Sequence, residues 1–114
     1  MKLAYIAHPY RSTTIDGLAE NIWHARKVAK RYWQRNYAVI CPCLNSAFMD
    51  GVMPDKTFLD GDLAILAKCD LLVLSGNWLA STGCVGEKIF AEQHKIQIEY
   101  FVDDKWFQFQ WHKG

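Results

Sequence analysis

The sequence predicts a single α/β domain with a mainly parallel sheet of four to five strands. Three observations support this prediction: short apolar runs alternate with amphipathic helical segments, the central runs are apolar on both faces, and 114 residues suit one domain. Strands that are apolar throughout are typical of parallel sheets covered by helices on both sides. Hydrophobic residues make up 51% of the chain and charged residues 22%, so a core is possible and disorder is not expected.

The first strand is expected over residues 2–8, and Pro9 stops it. A polar loop over 10–16 separates it from a long helix over about 17–36. Apolar residues recur there at intervals of three and four, which places them on one helix face. They are Leu18, Ile22, Ala25, Ala29 and Tyr32.

The same helix contains much of the positive charge, which we interpret as a solvated face. Its cations are Arg26, Lys27, Lys30, Arg31 and Arg35. The formal net charge is only +1, so the composition indicates neither a nucleic acid nor a membrane surface as a partner.

The second strand is expected over 37–41, before Pro42, and a loop over 44–56 follows it. A second helix is predicted over about 57–68. Its apolar set comprises Phe58, Leu59, Leu63, Leu66 and Ala67.

The third strand is expected over 70–75, and its uniformly apolar character is typical of a central position. A loop over 76–83 leads to a third helix over about 85–94, and a fourth strand is expected over 97–101. This alternation predicts parallel strands joined by right-handed crossovers.

The segment 103–114 has a different pattern. Phe107, Phe109 and Trp111 alternate with glutamines, which is the periodicity of a strand. We keep three interpretations for this segment: an edge strand, a contact between subunits, or an aromatic lid over a ligand.

No secretory signal and no apolar run of about 18 residues is visible in the sequence. Without a secretory signal, the four cysteines are expected to be reduced thiols of a cytoplasmic protein. Cys41 and Cys43 form a C-x-C pair without two further ligands at matching spacing. Cys69 is expected at a helix-to-strand junction and Cys84 in a loop. We interpret all four as reduced, buried thiols and expect no metal and no cofactor.

Ligands of open α/β sheets bind beyond the carboxyl ends of the strands. Three polar loops meet that requirement, over 8–12, 41–55 and 76–83. The chain has neither a G-x-G-x-x-G fingerprint nor a Walker A loop, which argues against NAD and ATP. We predict that a nucleotide-like small molecule binds at this edge of the sheet.

The loop after the third strand is the most informative one. It offers Asn77, and Ser81 and Thr82 can cap the next helix, where backbone N–H groups favour an anion. Gly83 lets a ligand approach the backbone. Glu87 follows about one turn into the helix and can point at the ligand. The alternative for Glu87 is ordinary charge compensation at a helix N-terminus.

Further candidates come from other parts of the chain. Asp62 is expected at the rim of the cleft, although a structural role is the alternative, and two carboxylates around one cleft suit glycosidic chemistry. Arg11 can clamp a phosphate or carboxylate, or can be a plain surface residue. His8 ends the first strand and could titrate near neutral pH. Tyr5 lies within that strand, where core packing is the usual role. His24, His94 and His112 are expected at the surface.

Three segments, taken together in their order and spacing, resemble the nucleoside 2-deoxyribosyltransferase superfamily, over about residues 2–101. They are Tyr5-Ile-Ala-His-Pro-Tyr-Arg11, Asp62-Leu63 before Cys69-Asp-Leu-Leu-Val73, and Ser81-x-Gly83-x-x-x-Glu87. The chain looks most like the small members found in phages and bacteria. The resemblance implies a Rossmann-like, flavodoxin-related three-layer sandwich and enzymes that cleave or exchange the N-glycosidic bond of 2′-deoxynucleosides or their 5′-monophosphates.

The resemblance also implies residue roles. Glu87 matches the glutamate that attacks C1′ or binds the sugar. Asp62 matches an aspartate near the departing base, which is a candidate general acid. Tyr5 matches a tyrosine that positions the glutamate. Subunits of this family usually pair, so a homodimer or larger homo-oligomer is expected.

Departures from the family pattern concern the substrate. Ser81 and Arg11 match the phosphate-binding serine and an arginine of the deoxynucleoside-monophosphate hydrolases, whereas transferases of free nucleosides have an aspartate at the place of Ser81. Pro9 stands where the hydrolases have another phosphate-binding serine, and His8 replaces a small residue. The matches at Ser81 and Arg11 favour a nucleotide as the substrate. The expected function is therefore an N-glycosidase or transferase acting on a (deoxy)nucleoside 5′-monophosphate or a nucleoside.

Two alternatives to this enzyme remain. One is a module of the same fold that binds a nucleotide, or a signal derived from one, without catalysis. The other is a structural or partner-binding protein that uses its exposed aromatic residues. These are Trp23, Trp106, Phe107 and Trp111.

Overall fold

The computed structural model describes residues 1–102 and confirms the predicted α/β class. Four parallel strands form one sheet in the order β2-β1-β3-β4, and helices cover it. The elements are β1 (Leu3–Ala7), α1 (Ile15–Gln34), β2 (Ala38–Ile40), α2 (Pro42–Asn45), α3 (Asp55–Leu66), β3 (Leu71–Leu74), α4 (Thr82–Gln93) and β4 (Gln97–Tyr100). The tail over 103–114, and with it any fifth strand, lies outside the described residues.

The core is divided between the two faces of the sheet, because successive side chains of a strand point to opposite sides. Ala4 and Ile6 of β1 pack with the buried face of α1, and Cys43 of α2 joins the same cluster. Tyr5 and Ala7 point to the other face, where α3 and α4 cover them. Tyr5 therefore lies on the same side of the sheet as Glu87.

Three residues of the apolar stripe predicted for α1, Ala25, Ala29 and Tyr32, are buried in the core, and Val28 joins them. Leu18 and Ile22 are only partly buried and lie outside this cluster. The helix begins two residues before the predicted start, since the side chain of Thr14 accepts a hydrogen bond from the amide of Gly17 at 2.9 Å. It ends before Asn36, whose φ of 72° leaves the helical region. Arg26, Lys27, Lys30 and Arg31 of this helix, and Arg35 directly after it, are exposed, as predicted.

Other boundaries differ from the prediction for similar reasons. Ser81 caps α4, so this helix begins at Thr82 rather than Val85, and Cys84 lies in its first turn instead of a loop. The predicted loop over 44–56 overlaps the short helix α2, which has Pro42 at its first position. Leu59, assigned to the apolar set of α3, is 51% exposed, and Ala67 of the same set is exposed directly after the helix.

All four cysteines are free and buried, which confirms their interpretation as apolar thiols. No helix within residues 1–102 combines the length and the apolar character that crossing a membrane requires.

Candidate functional site

A cleft of about 850 Å³ opens at the carboxyl ends of β1 and β3. These two strands are neighbours, but the chain leaves β1 towards α1 on one face and β3 towards α4 on the other. Such a switch of direction leaves a crevice in parallel α/β sheets, and ligands bind there. Every predicted site residue except Tyr5 lines this cleft. They are His8, Arg11, Asp62, Asn77, Ser81, Gly83 and Glu87.

Tyr5 contacts the cleft indirectly, through Glu87. Its side chain is fully buried beneath α4, and its hydroxyl donates a hydrogen bond to Oε2 of Glu87. Burial raises the pKa of Tyr5 far above its ordinary value, and the charges of Glu87 and Asp62 raise it further. The hydroxyl therefore stays protonated and can only donate to the carboxylate.

Glu87 is partly buried on α4, about one and a half turns from the start of the helix. Burial raises the pKa of its carboxyl group to about 7, with the charge of Asp62 acting in the same direction and the hydrogen bond from Tyr5 opposing both. The group therefore exchanges its proton near neutral pH, a property that suits acid–base or nucleophilic chemistry.

Asp62 lies on α3, on the other side of the same cleft. It is partly buried, and burial raises the pKa of its carboxyl group to about 6. Two carboxyl groups with raised pKa values thus face one space from two helices. The sequence could not decide between structural and cleft roles for Asp62, and the structure places it in the cleft.

Tyr5→Phe should raise the pKa of Glu87 above about 7, because it removes the hydrogen bond that stabilises the carboxylate. Carbon-13 NMR titration of the glutamate carboxyl groups measures this change. Tyr32→Phe is the matched control, since it removes a 2.7 Å bond to Glu99 on the opposite face of the sheet. An unchanged Glu87 titration in Tyr5→Phe would contradict the role of the hydroxyl.

The N-terminus of α4 forms one wall of the cleft. Ser81 caps the helix by accepting a hydrogen bond from the amide of Cys84 at 3.2 Å. A Cβ atom built on Gly83 would meet only Ser81 Oγ, at 3.9 Å, so the backbone there is open to a ligand. Asn77 is exposed just before the 3₁₀ turn over 78–80. This wall can accept an anion or a polar group.

Arg11 lines the cleft from the opposite loop but is not a free cation. Its guanidinium forms a 2.7 Å ion pair with Asp55, and both side chains are largely exposed. Asn21 of α1 holds this loop by donating to the carbonyl oxygens of Tyr10 and Arg11, at 3.0 Å and 3.2 Å. The loop is thus fixed to α1, whereas the guanidinium can exchange Asp55 for a ligand at small cost.

His8 is buried at the end of β1, and Nδ1 lies 2.9 Å from Oγ of Ser75. Burial lowers the pKa of its imidazole to about 4, with His24 acting in the same direction, so the expected titration near neutral pH is wrong. His24 is partly buried, with its ring centroid 6.5 Å from that of His8, rather than at the surface.

Gly76 is required beside His8 for two reasons. Its φ is +61°, and a Cβ atom there would lie 2.6 Å from Cε1 of His8. Gly76→Ala should therefore lower the free energy of unfolding by about 1–3 kcal/mol. Urea denaturation measures this loss. Gly61→Ala in α3 is the control, because open space surrounds Gly61 and alanine favours a helix. An equal loss of unfolding free energy in both variants would contradict the explanation.

Three residues that shape the cleft were not singled out from the sequence. Ser75 holds the imidazole of His8, Cys43 donates from Sγ to the carbonyl oxygen of His8 at 3.0 Å, and Asp50 adds a carboxylate to the lining. Only Ser75 had a signal in the sequence. It directly follows an apolar strand, and residues at the carboxyl ends of parallel strands lie at the ligand-binding edge of the sheet.

Within residues 1–102, no group of three or more histidine, cysteine, aspartate or glutamate side chains is arranged to hold a metal ion.

A family model described as a domain of unknown function (DUF7768) matches residues 2–101. No curated protein matches the chain.

Proposed function

Because the chain belongs to the DUF7768 family, whose description states no activity, we propose a function from its cleft: hydrolysis or transfer of the N-glycosidic bond of a nucleoside or its 5′-monophosphate. The observation that supports this most directly is the pair of carboxyl groups, Glu87 and Asp62, in one cleft. Glycosidic bond cleavage requires one carboxylate at the anomeric carbon and one acid at the leaving group.

Glu87 is the proposed nucleophile or sugar-stabilising carboxylate. In its ionised form it attacks C1′ as the bond from C1′ to the base nitrogen breaks, and a glycosyl ester results. Tyr5 fixes one carboxylate oxygen, so the other remains for C1′. Water or a second base then displaces the carboxylate and restores it.

Asp62 is the proposed general acid. A pKa of about 6 keeps part of the population protonated near neutral pH, and the proton passes to the departing base as the glycosidic bond weakens. The resulting carboxylate regains a proton from solvent before the next turnover. Two carboxyl groups with different environments are the usual means of dividing these roles.

The other walls supply groups that can hold the ligand. Ser81, Asn77 and the open backbone at Gly83 offer hydrogen bonds on one side, and Arg11 offers a cation on the other. The order of these residues along the chain also resembles that of the nucleoside 2-deoxyribosyltransferase superfamily, which supports the same reaction class.

The test is direct incubation of the purified protein with 2′-deoxynucleosides and their 5′-monophosphates, followed by chromatography of the released base. We expect base release from at least one of them, and exchange when a second free base is added if the protein is a transferase. No release from any of these compounds would refute the proposal.

A binding module without catalysis is the second candidate. One observation favours it: Arg11 and Asp55 already neutralise each other, and Glu87 is partly protonated at neutral pH, which weakens a nucleophile. Calorimetry that detects nucleotide binding, together with the absence of base release, would establish this alternative.

A further inference from the structure

The lining of the cleft is acidic. Asp50, Asp55, Asp62 and Glu87 contribute carboxyl groups, and among the described lining residues Arg11 is the only lysine or arginine. That single cation is already paired with Asp55. A phosphate monoester has about −1.5 to −2 charges at pH 7, so it would have to displace Asp55 from Arg11 and lie among these carboxyl groups, whereas an uncharged ligand would not.

The hydrogen bonds of Ser75 determine where the proton of His8 lies. Oγ of Ser75 is 3.0 Å from the carbonyl oxygen of Ala7 and 2.9 Å from Nδ1 of His8. A carbonyl oxygen only accepts, so we assign the single hydroxyl hydrogen of Ser75 to the bond with Ala7, whose oxygen also accepts the amide of Ser75 at 3.0 Å. The contact with His8 then requires a hydrogen on Nδ1.

The other ring nitrogen, Nε2, is therefore an acceptor. The pKa of His8 is lowered to about 4, so the imidazole is neutral at neutral pH and has only one N–H hydrogen. With that hydrogen on Nδ1, Nε2 has a free lone pair. The ring packs against Gly76, and the residue lines the cleft.

We propose that His8 is a specificity residue, which accepts a ligand hydroxyl hydrogen at Nε2 and selects an uncharged nucleoside over its phosphorylated form. This inference rests on the proposed function and names the substrate class for that site. The inference concerns the 5′-hydroxyl of the nucleoside, which can donate to Nε2, whereas the phosphate that replaces it in the monophosphate has oxygens that as a dianion only accept. Ser75 is a positioning residue, because it fixes which nitrogen of His8 has the hydrogen.

Two substitutions at His8 separate the ring nitrogens. His8→Asn keeps an amide N–H near the position of Nδ1, so the bond to Ser75 survives while the acceptor is lost. His8→Gln places an amide oxygen near the position of Nε2 and keeps an acceptor. The probes are 2′-deoxyadenosine and its 5′-monophosphate, with Kd measured by calorimetry at pH 7.

In the wild-type protein the nucleoside should bind at least about tenfold more tightly than the monophosphate. His8→Asn should weaken nucleoside binding about three- to tenfold, the effect of one neutral hydrogen bond, and His8→Gln should retain most of it. Tighter binding of the monophosphate, or equal losses in both variants, would overturn the role of His8 alone. Failure of every 2′-deoxynucleoside and every 5′-monophosphate to bind would overturn the proposed function as well.

Nitrogen-15 NMR of the histidine rings tests the same inference without a ligand. Spectra that record two-bond couplings between ring hydrogens and ring nitrogens distinguish protonated from unprotonated nitrogens. We expect the hydrogen of His8 on Nδ1 at pH 7. Ser75→Ala should shift the population towards Nε2–H. A hydrogen on Nε2 in the wild-type protein would overturn the proposal, whatever the binding data show.

Discussion

Glu87→Gln should lower base release by about 10³-fold or more, because an amide can neither attack C1′ nor balance the charge that develops there. The variant keeps an oxygen that accepts the hydrogen bond from Tyr5, so the geometry of α4 should be preserved. Initial rates of base release, measured by chromatography at saturating substrate, give the effect.

The same substitution should stabilise the fold at alkaline pH. The pKa of Glu87 is raised from its ordinary 4.5 to about 7, so the folded protein binds this proton more tightly than the unfolded chain does. The wild-type protein therefore loses stability as pH rises from about 4.5 to about 7, by up to about 3 kcal/mol. The amide of the Glu87→Gln variant does not titrate, so this loss is absent there, and urea denaturation at pH 5 and pH 8 reveals the difference.

Glu92→Gln is the matched control for both measurements. Glu92 lies on the same helix but is exposed and forms an ion pair with Lys88 at 3.0 Å. Its substitution should leave base release unchanged and alter stability little. Full activity of Glu87→Gln would remove Glu87 from the mechanism, and unchanged stability at pH 8 would contradict the raised pKa.

Asp62→Asn should lower base release by about 10²- to 10⁴-fold and should change the shape of its pH profile. In the wild-type protein the reaction needs ionised Glu87 and protonated Asp62. Because their pKa values are about 7 and about 6, activity should rise and then fall with pH, with a maximum between these values.

Asparagine at position 62 cannot lose a proton, so the fall at higher pH should disappear. The remaining rise, due to Glu87, should move to lower pH, since the charge of Asp62 is one cause of the raised pKa of Glu87. Asp60→Asn is the control: Asp60 is exposed two residues away and pairs with Lys56 at 2.6 Å. A profile in Asp62→Asn that still falls above pH 7 would assign the general acid to another group.

The two carboxyl groups differ in how far the sequence predicted them. A glutamate after Ser81-x-Gly83 at the start of a helix indicated a ligand site, because the helix period and the capping residue fix its approximate direction. Its raised pKa was not predictable. That property depends on the burial of Glu87 and on Asp62, which is 25 residues away in the chain.

His8 shows the same distinction more sharply. Its position at the end of β1 predicted a cleft residue, but an isolated histidine titrates near pH 6.5, so near-neutral titration was the natural expectation. Contacts with Ser75 and Gly76, from a strand end 67 residues later, bury the ring and lower its pKa.

The sequence by itself determined the class of fold, the alternation of the four strands with the three longer helices, and the edge of the sheet where the candidate site residues lie. These features follow from hydrophobic periodicity and turn residues, which act over a few neighbouring positions. The tertiary structure alone decided that Tyr5 donates to Glu87, that Asp55 pairs with Arg11, and which proton states the cleft holds. Hydrogen bonds and desolvation depend on distances between segments far apart in the chain, and no local pattern encodes those distances.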